Sequence, residues 1–325
     1  MKISEGLDIP LDKYLGTDSA LTRILKNFKY RSGQLNMARA ILSCLNEDDT
    51  FLIIEAGTGI GKSFAYLLPA FLFSLDNETK VVISTKTLHL QQQLLKKDIP
   101  VLKEAFGELS AIDVSVLRGR RNYVCKRRYL LYEKGRRRKP GLFEDEDFNA
   151  AALSNWFAQT KSGFRGDFKK KIPGNVWTHF GGDRHNCLAS ACHHFSECFF
   201  FNSRREAGRA DVIIVNHALL LADSRLEMEQ KQESKVIPPF SKLVIDEAHH
   251  FEATAEAAFT FQLNKAGLKD IMEPVIRTGT TSLRGLLNNI FDRSIDAGTE
   301  NFNLSTFVRR IDVEIMPGIQ EQILN

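Results

Sequence analysis

The nine residues Glu55–Ser63, EAGTGIGKS, constrain the fold of this chain more than any other stretch, because two different periodicities meet there. Upstream, TFLIIEA (Thr50–Ala56) is a short apolar run of the kind that forms a buried strand; downstream, GKSFAYLLPAFLFSL has the length and apolar content of a packed helix. A glycine-rich turn between strand and helix aims backbone N–H groups and the positive end of the helix at an anion. Gly57, Gly59 and Gly61 permit the tight turn, Lys62 is placed to reach β- and γ-phosphates, and Ser63 is placed to ligate Mg2+. Ala56 stands where the strict pattern has glycine, and its small side chain makes the departure tolerable. Ala56, Gly57, Thr58, Gly59, Ile60, Gly61, Lys62 and Ser63 are therefore the expected nucleotide-phosphate cradle. A hairpin or a simple helix cap leaves the lysine–serine pair unexplained.

The remaining pattern suits an α/β sheet. KVVIST (Lys80–Thr85), DVSVLRG (Asp113–Gly119), DVIIVN (Asp211–Asn216) and KLVIDE (Lys242–Glu247) read as further strands. TLHLQQQLLKKDIPVLKEAF reads as a helix up to a break at Ile99–Pro100, and Pro69 is expected to kink the helix after the phosphate loop or to mark a weak turn. Between Gly119 and Ala207 the pattern dissolves, and from Phe251 to Asn325 it is mostly helix-compatible without a strand-rich block. The expected fold class is α/β with a parallel sheet, divided as 1–118, an insertion at 119–207, the sheet continued at 208–250, and a helical segment at 251–325.

In KLVIDEAHH an apolar strand delivers two acids at its carboxyl end, which is where an open α/β sheet binds ligands. Asp246 is expected to hold Mg2+ and Glu247 to polarise the attacking water, with His249 completing the string DEAH. Adjacent acids alone are weak evidence; after a buried strand, with a phosphate loop in the same chain, they become strong.

Net charge is only +4, so nucleic-acid binding cannot rest on it, but Lys126–Arg128, Lys134–Lys139 and Lys169–Lys171 crowd into the insertion beside the cysteines. The N-terminus has no secretory pattern and the chain has no long apolar run, so it reads as soluble, cytoplasmic and without a membrane partner. In that reducing setting, clustered cysteines point to a metal or a reactive thiol rather than to disulfides.

Taken in order, EAGTGIGKS, STKTLHLQQQLLKKDIP, RGRRNYVC, DVIIVNHALLLAD and VIDEAHH resemble the N-terminal half of the DinG-type branch of XPD-like superfamily-2 DNA helicases, over about Tyr30–Phe251. The resemblance implies a RecA-like ATPase domain that uses ATP and Mg2+ and moves 5′-to-3′ on single-stranded or forked DNA, as in DNA repair. It makes YRSGQLNMA the adenine-reading segment, with Arg31 and Gln34 as nucleotide contacts, and places Thr85, Lys86 and Thr87 against the DNA backbone. A polar turn before a helix is the plain alternative for the first pair, and a helix N-cap for Thr85 or Thr87.

Cys187, Cys192 and Cys198 are spaced C-x4-C-x5-C, and Cys125 lies 62 residues before the first of them. Four thiolates suit a [4Fe-4S] cluster or Zn2+. The absence of a C-x2-C pair favours the cluster, and so does the resemblance; His193 and His194 keep a mixed zinc site open. Cys44 lies on an apolar helical pattern and reads as a core residue. A small, charged insertion buries little surface, so a metal knot is expected to fix its shape, with Tyr123, Tyr129, Trp156 or Trp177 either stacking on bases or forming the insertion's own core.

The resemblance also implies a second RecA-like domain. Nothing after Phe251 offers one, and Arg309–Arg310, in a helix-like stretch, is a poor arginine finger. The sequence thus reads as the N-terminal portion of an ATP-dependent DNA helicase, the alternative being a nucleotide- and DNA-binding iron-sulfur module without turnover.

Overall fold

A computed structural model describes residues 10–260, apart from 27, 139–149, 185 and 229–234, together with 278–279 and 282–283. The Arg309–Arg310 pair, Lys139 and most of the expected helical segment lie outside the described residues. The chain divides into two units, Met1–Phe259 and Thr260–Asn325. In the second, Thr278–Gly279 pairs antiparallel with Ser282–Leu283.

The first unit is built on a parallel sheet of β1 (Val81–Thr85), β2 (Val114–Val116), β3 (Val212–Asn216) and β4 (Lys242–Ile245), ordered β2-β3-β1-β4. Side chains alternate across a strand, and both faces of this sheet are covered. Val81, Ile83, Val212 and Ile214 face a core shared with the Ser32–Asn46 and Lys62–Asn77 helices. Val82, Ile213 and Val215 face a second core with Leu117, Leu219, Leu220 and Ile237. Buried Asp223 ties the chain at this second core by accepting the N–H groups of Val236 and Ile237. Asp223→Ala leaves those donors unmet and is expected to cost about 1–3 kcal/mol in urea unfolding; a loss below about 0.5 kcal/mol would show that water replaces the carboxylate freely.

Three expectations need correction. Thr50–Ala56 is not a strand of the sheet. The chain on either side of it is tied near β4, with Lys242 Nζ donating to the Glu47 carbonyl at 2.6 Å before the segment and Lys62 meeting Glu247 at 3.1 Å after it. No backbone hydrogen bond joins the segment to β4 among the described residues, and Phe51 and Ile53 are 88% and 86% exposed. Apolar character alone does not make a strand; a partner edge in register does. Second, Pro100 does not end its helix. Leu88–Gln93 passes through a π-helical turn, Leu94–Asp98, into Ile99–Ala105, with the Ile99 N–H bonded to the Leu94 carbonyl. The widened turn accommodates a residue that would otherwise press on the Lys96 carbonyl. Pro69 likewise sits buried inside a continuous Lys62–Asn77 helix.

Third, the insertion is not poor in structure. The helices Lys126–Arg138, Ala150–Gln159, Gly174–Phe180 and Phe199–Arg209 enclose their own core of Tyr123, Tyr129, Tyr132, Leu153, Trp177 and Phe180, among others. Tyr123, Tyr129 and Trp177 are buried in it and Trp156 packs at its margin, so the first three do not present their faces for stacking. Of the two roles expected of these aromatics, the insertion's own core is the one realised; its full extent was hidden because irregular spacing conceals a core assembled from short helices.

Candidate functional site

The phosphate loop turns from Glu55 into the Lys62–Asn77 helix through left-handed backbone at Gly59 (φ +83°) and Gly61 (φ +90°). Gly61 is required twice over: its φ disfavours L side chains, and a Cβ there would lie 2.3 Å from the Gln34 Nε2. Gln34, 1% exposed, donates from that nitrogen to the Gly61 carbonyl at 2.9 Å. It therefore braces the loop itself, while its buried Oε1 has no partner among the described residues. Arg31 stands exposed at the N-cap of the Ser32–Asn46 helix.

The two acids reach the same place from β4. Glu247 accepts from Lys62 Nζ at 3.1 Å through Oε1 and meets His249 Nδ1 at 3.4 Å through Oε2. The Lys62 hydrogen bond holds its carboxyl below the usual carboxylate range. Asp246 is more enclosed: burial first, then the adjacent Glu247 charge, pushes its carboxyl up, and Tyr66 Oη donates to it at 3.2 Å. Burial and the Asp246 charge push the Tyr66 phenol up in turn. Glu247 also adopts left-handed backbone (φ +54°), as do Asp49, Glu78 and Ala189 elsewhere in the chain.

The loop and the acid turn thus converge, although Lys62 and Glu247 are 185 residues apart in sequence. The carboxylate of Asp246 and the hydroxyl of Ser63 are hard oxygen donors of the kind Mg2+ selects, and Ser63 bonds within the same group of side chains through Tyr66 and Asp98. Tyr66 was not among the expected site residues; its one signal was its position one helical turn after Lys62.

At the end of β1, Thr85 is fully buried and its hydroxyl donates to the Thr87 carbonyl. The Thr87 hydroxyl caps the next helix by accepting the Leu90 N–H at 3.2 Å, which is the N-cap alternative realised. Lys86 remains exposed, with Nζ 2.8 Å from His250 Nε2.

Among the described residues no three Cys, His, Asp or Glu side chains converge tightly enough to hold a metal ion. The donor chemistry of the four cysteines nevertheless fits one. All are free thiols, and Cys198 lies close enough to Cys125 and Cys187 to feel their charge. Cys125 and Cys198 each immediately precede a helix, Lys126–Arg138 and Phe199–Arg209. The N–H groups of Phe200 and Phe201 act on the Cys198 sulfur against the upward push of its burial, and the Ala189 N–H donates to Cys187 Sγ at 3.4 Å. The basic run beside Cys125 is engaged in bracing: Lys126 pairs with Glu197, next to Cys198, and Arg127 donates to the carbonyl of Asn186, next to Cys187. Arg128 holds the Gly181 and Thr178 carbonyls. Lys169–Lys171 are exposed, and so is Lys134. Cys44 is half-buried beside Thr50 at a helix end rather than in the core.

Residues 33–127 match the family described as DEAD/DEAH box helicase, and residues 183–268 match DEAD_2. The ATP-dependent helicase DinG of Mycobacterium tuberculosis is 34% identical over 251 residues, covering 73% of this chain and 37% of that protein. The chain belongs to the DinG-type branch of the DEAD/DEAH-box helicases. The ATP-dependent DNA helicase YoaA of Escherichia coli is 31% identical over 82% of this chain and 40% of its own length. A Bacillus subtilis relative named 3′-5′ exonuclease DinG is 28% identical over 92% of this chain and 31% of its own length. The chain therefore spans well under half the length of these relatives. Among the described residues no helix is long and apolar enough to cross a membrane.

Proposed function

We propose that this chain carries the ATP-hydrolysing half of a DNA helicase that moves along single-stranded or forked DNA, 5′-to-3′ as the family resemblance implies. The observation that carries the proposal is the Lys62–Glu247 contact at 3.1 Å, which puts phosphate loop and acid pair at one site. Incoming β- and γ-phosphates compete with Glu247 for the Lys62 ammonium. Once Lys62 turns to phosphate, the interaction that depresses the Glu247 carboxyl is gone, and Glu247 becomes a stronger base for the attacking water. Asp246 and Ser63 would hold Mg2+, which neutralises charge on the phosphates. His249 orients Glu247 from its other oxygen, Arg31 and Gln34 border the adenine side, and Lys86 meets the DNA backbone, with Thr85 and Thr87 shaping the turn that presents it. The division at 1–118, 119–207, 208–250 and 251–325 is the corresponding organisation, and a second RecA-like domain completes the motor.

DNA-stimulated ATP hydrolysis is expected of the motor completed by its second domain, and its measurement on the purified chain tests whether this half turns ATP over by itself. Nucleotide and DNA binding without hydrolysis would leave only the reading as a binding module, and failure to bind either ligand would overturn both.

For the insertion, Cys125, Cys187, Cys192 and Cys198 would ligate a [4Fe-4S] cluster, supported by the donor chemistry at the helix starts. Protein purified without oxygen is expected to be brown and to carry about four irons per chain, and Cys192→Ser to lose both. DNA binding should then fall much more than ATP binding, because the basic residues bracing the cysteine loops belong to the insertion while the phosphate loop belongs to the sheet. Colourless protein with one zinc per chain would establish the zinc reading instead.

A further inference from the structure

His217 begins the His217–Met228 helix directly after β3, whose last residue, Asn216, pairs in register with Thr85 of β1. Its ring is 1% exposed and bridges two parts of the site that are otherwise remote in sequence. On one side its Nδ1 lies 2.7 Å from Ser84 Oγ, one residue before the turn that presents Lys86. On the other, the ring packs edge-to-face on Phe251, centroids 5.3 Å apart, immediately beyond the acid turn. The backbone of Asp246 and Glu247 lies beside it.

With Ser84 donating to Nδ1, the neutral ring carries its proton on Nε2. That nitrogen is buried without a well-formed hydrogen bond among the described residues. Buried donors are rarely left so, and an apolar side chain would fill the same space without this penalty. The nearest acceptors belong to a turn whose central residue, Glu247, holds left-handed backbone and is pinned by Lys62. The Asp246 and Glu247 carbonyls already lie close enough to act on the ring, so a small shift of the turn would complete the bond to Nε2.

We infer that His217 is a positioning residue linking the nucleotide site to the DNA-facing end of β1, through Ser84 on one ring nitrogen and the Asp246–Glu247 backbone on the other. The inference rests on the function proposed above. Its premise is a second arrangement of the acid turn, biased by nucleotide, that both sites share. Lys86 and His250, 2.8 Å apart, form a parallel contact between the same two segments, which a DNA phosphate drawing on Lys86 would loosen.

The test is thermodynamic linkage, measured on the purified chain with a fluorescent non-hydrolysable ATP analogue and Mg2+, with and without an oligo-dT single strand. In the unaltered protein DNA is expected to change analogue affinity about fivefold or more, with the reciprocal effect on DNA affinity. His217→Asn keeps an acceptor for Ser84 but lacks the second donor. It should hold the protein's melting temperature and each separate affinity, and bring the coupling ratio to about one. Ser84→Ala, which removes the other end of the brace, should do the same, and His217→Gln, whose amide reaches the Nε2 position, should restore part of the coupling. Intact coupling in His217→Asn would overturn the inference while leaving the proposed function standing, as would an unaltered protein that binds both ligands without coupling. Absence of binding by the unaltered protein would instead remove the proposed function and this inference with it.

Discussion

Lys62→Ala is expected to weaken ATP binding by about 10- to 100-fold, the equivalent of about 1.5–3 kcal/mol for a lost hydrogen bond to a charged group, and to leave no measurable hydrolysis. The size follows from the role of the ammonium. In the resting site it neutralises Glu247 at 3.1 Å, and in the loaded site it serves the phosphates, so its removal leaves either set of anions uncompensated. A second consequence separates this account from a simple steric one. The Lys62 contact depresses the Glu247 pKa, so its contribution to stability is present above the ordinary carboxylate pKa and is lost as pH falls through the depressed value. The stability difference between the two proteins should therefore be constant near neutrality and shrink in acid. Both side chains are partly exposed, which keeps that difference to about 1 kcal/mol or less. Isothermal titration with ATP and urea unfolding at two pH values check the pair of expectations; unchanged nucleotide affinity would defeat the phosphate-loop assignment.

Glu247→Gln should act on the other half of the reaction. In protein that turns ATP over, hydrolysis is expected to fall by about 10²–10⁴, because the amide is nearly isosteric with the carboxylate but cannot accept a proton from water. ATP binding should persist and tighten modestly, since Lys62 no longer has an anionic partner competing with phosphate. Single-turnover hydrolysis alongside equilibrium binding separates the two effects. Hydrolysis within a few-fold of the unaltered protein, with Mg2+ dependence also surviving in Asp246→Asn, would make the acid pair structural.

The glycine turn into a helix, the acids at a strand end and the four parallel strands, though not their order in the sheet, were legible because each depends on a short contiguous pattern. Strand β4 delivers Asp246 and Glu247 through nothing more than an apolar run followed by acids. The helix after the loop shows itself by length and apolar content, and even Pro69 does not interrupt it. By contrast, Thr50–Ala56 has the composition of a strand and no ladder, because pairing depends on an edge supplied from elsewhere in the chain. The core of the insertion was legible only as one alternative for its aromatics, for a related reason: Tyr123, Leu153, Trp177 and Phe199 come together from four separate stretches, none periodic enough to announce itself.

What the sequence by itself determined was the chemistry available: a lysine after glycines for phosphate, two carboxylates at a strand end, and four thiols in one insertion. Tertiary structure decided what those groups do for one another. Gln34 turned out to brace Gly61, Thr87 to cap a helix, the Lys126–Arg128 run to stitch cysteine loops, and His217 to stand between Ser84 and the acid turn. The physical reason is that a motif is local and covalent, whereas a hydrogen-bond partner or a buried face is chosen by packing between segments far apart in the chain. Composition and spacing carry no record of that choice.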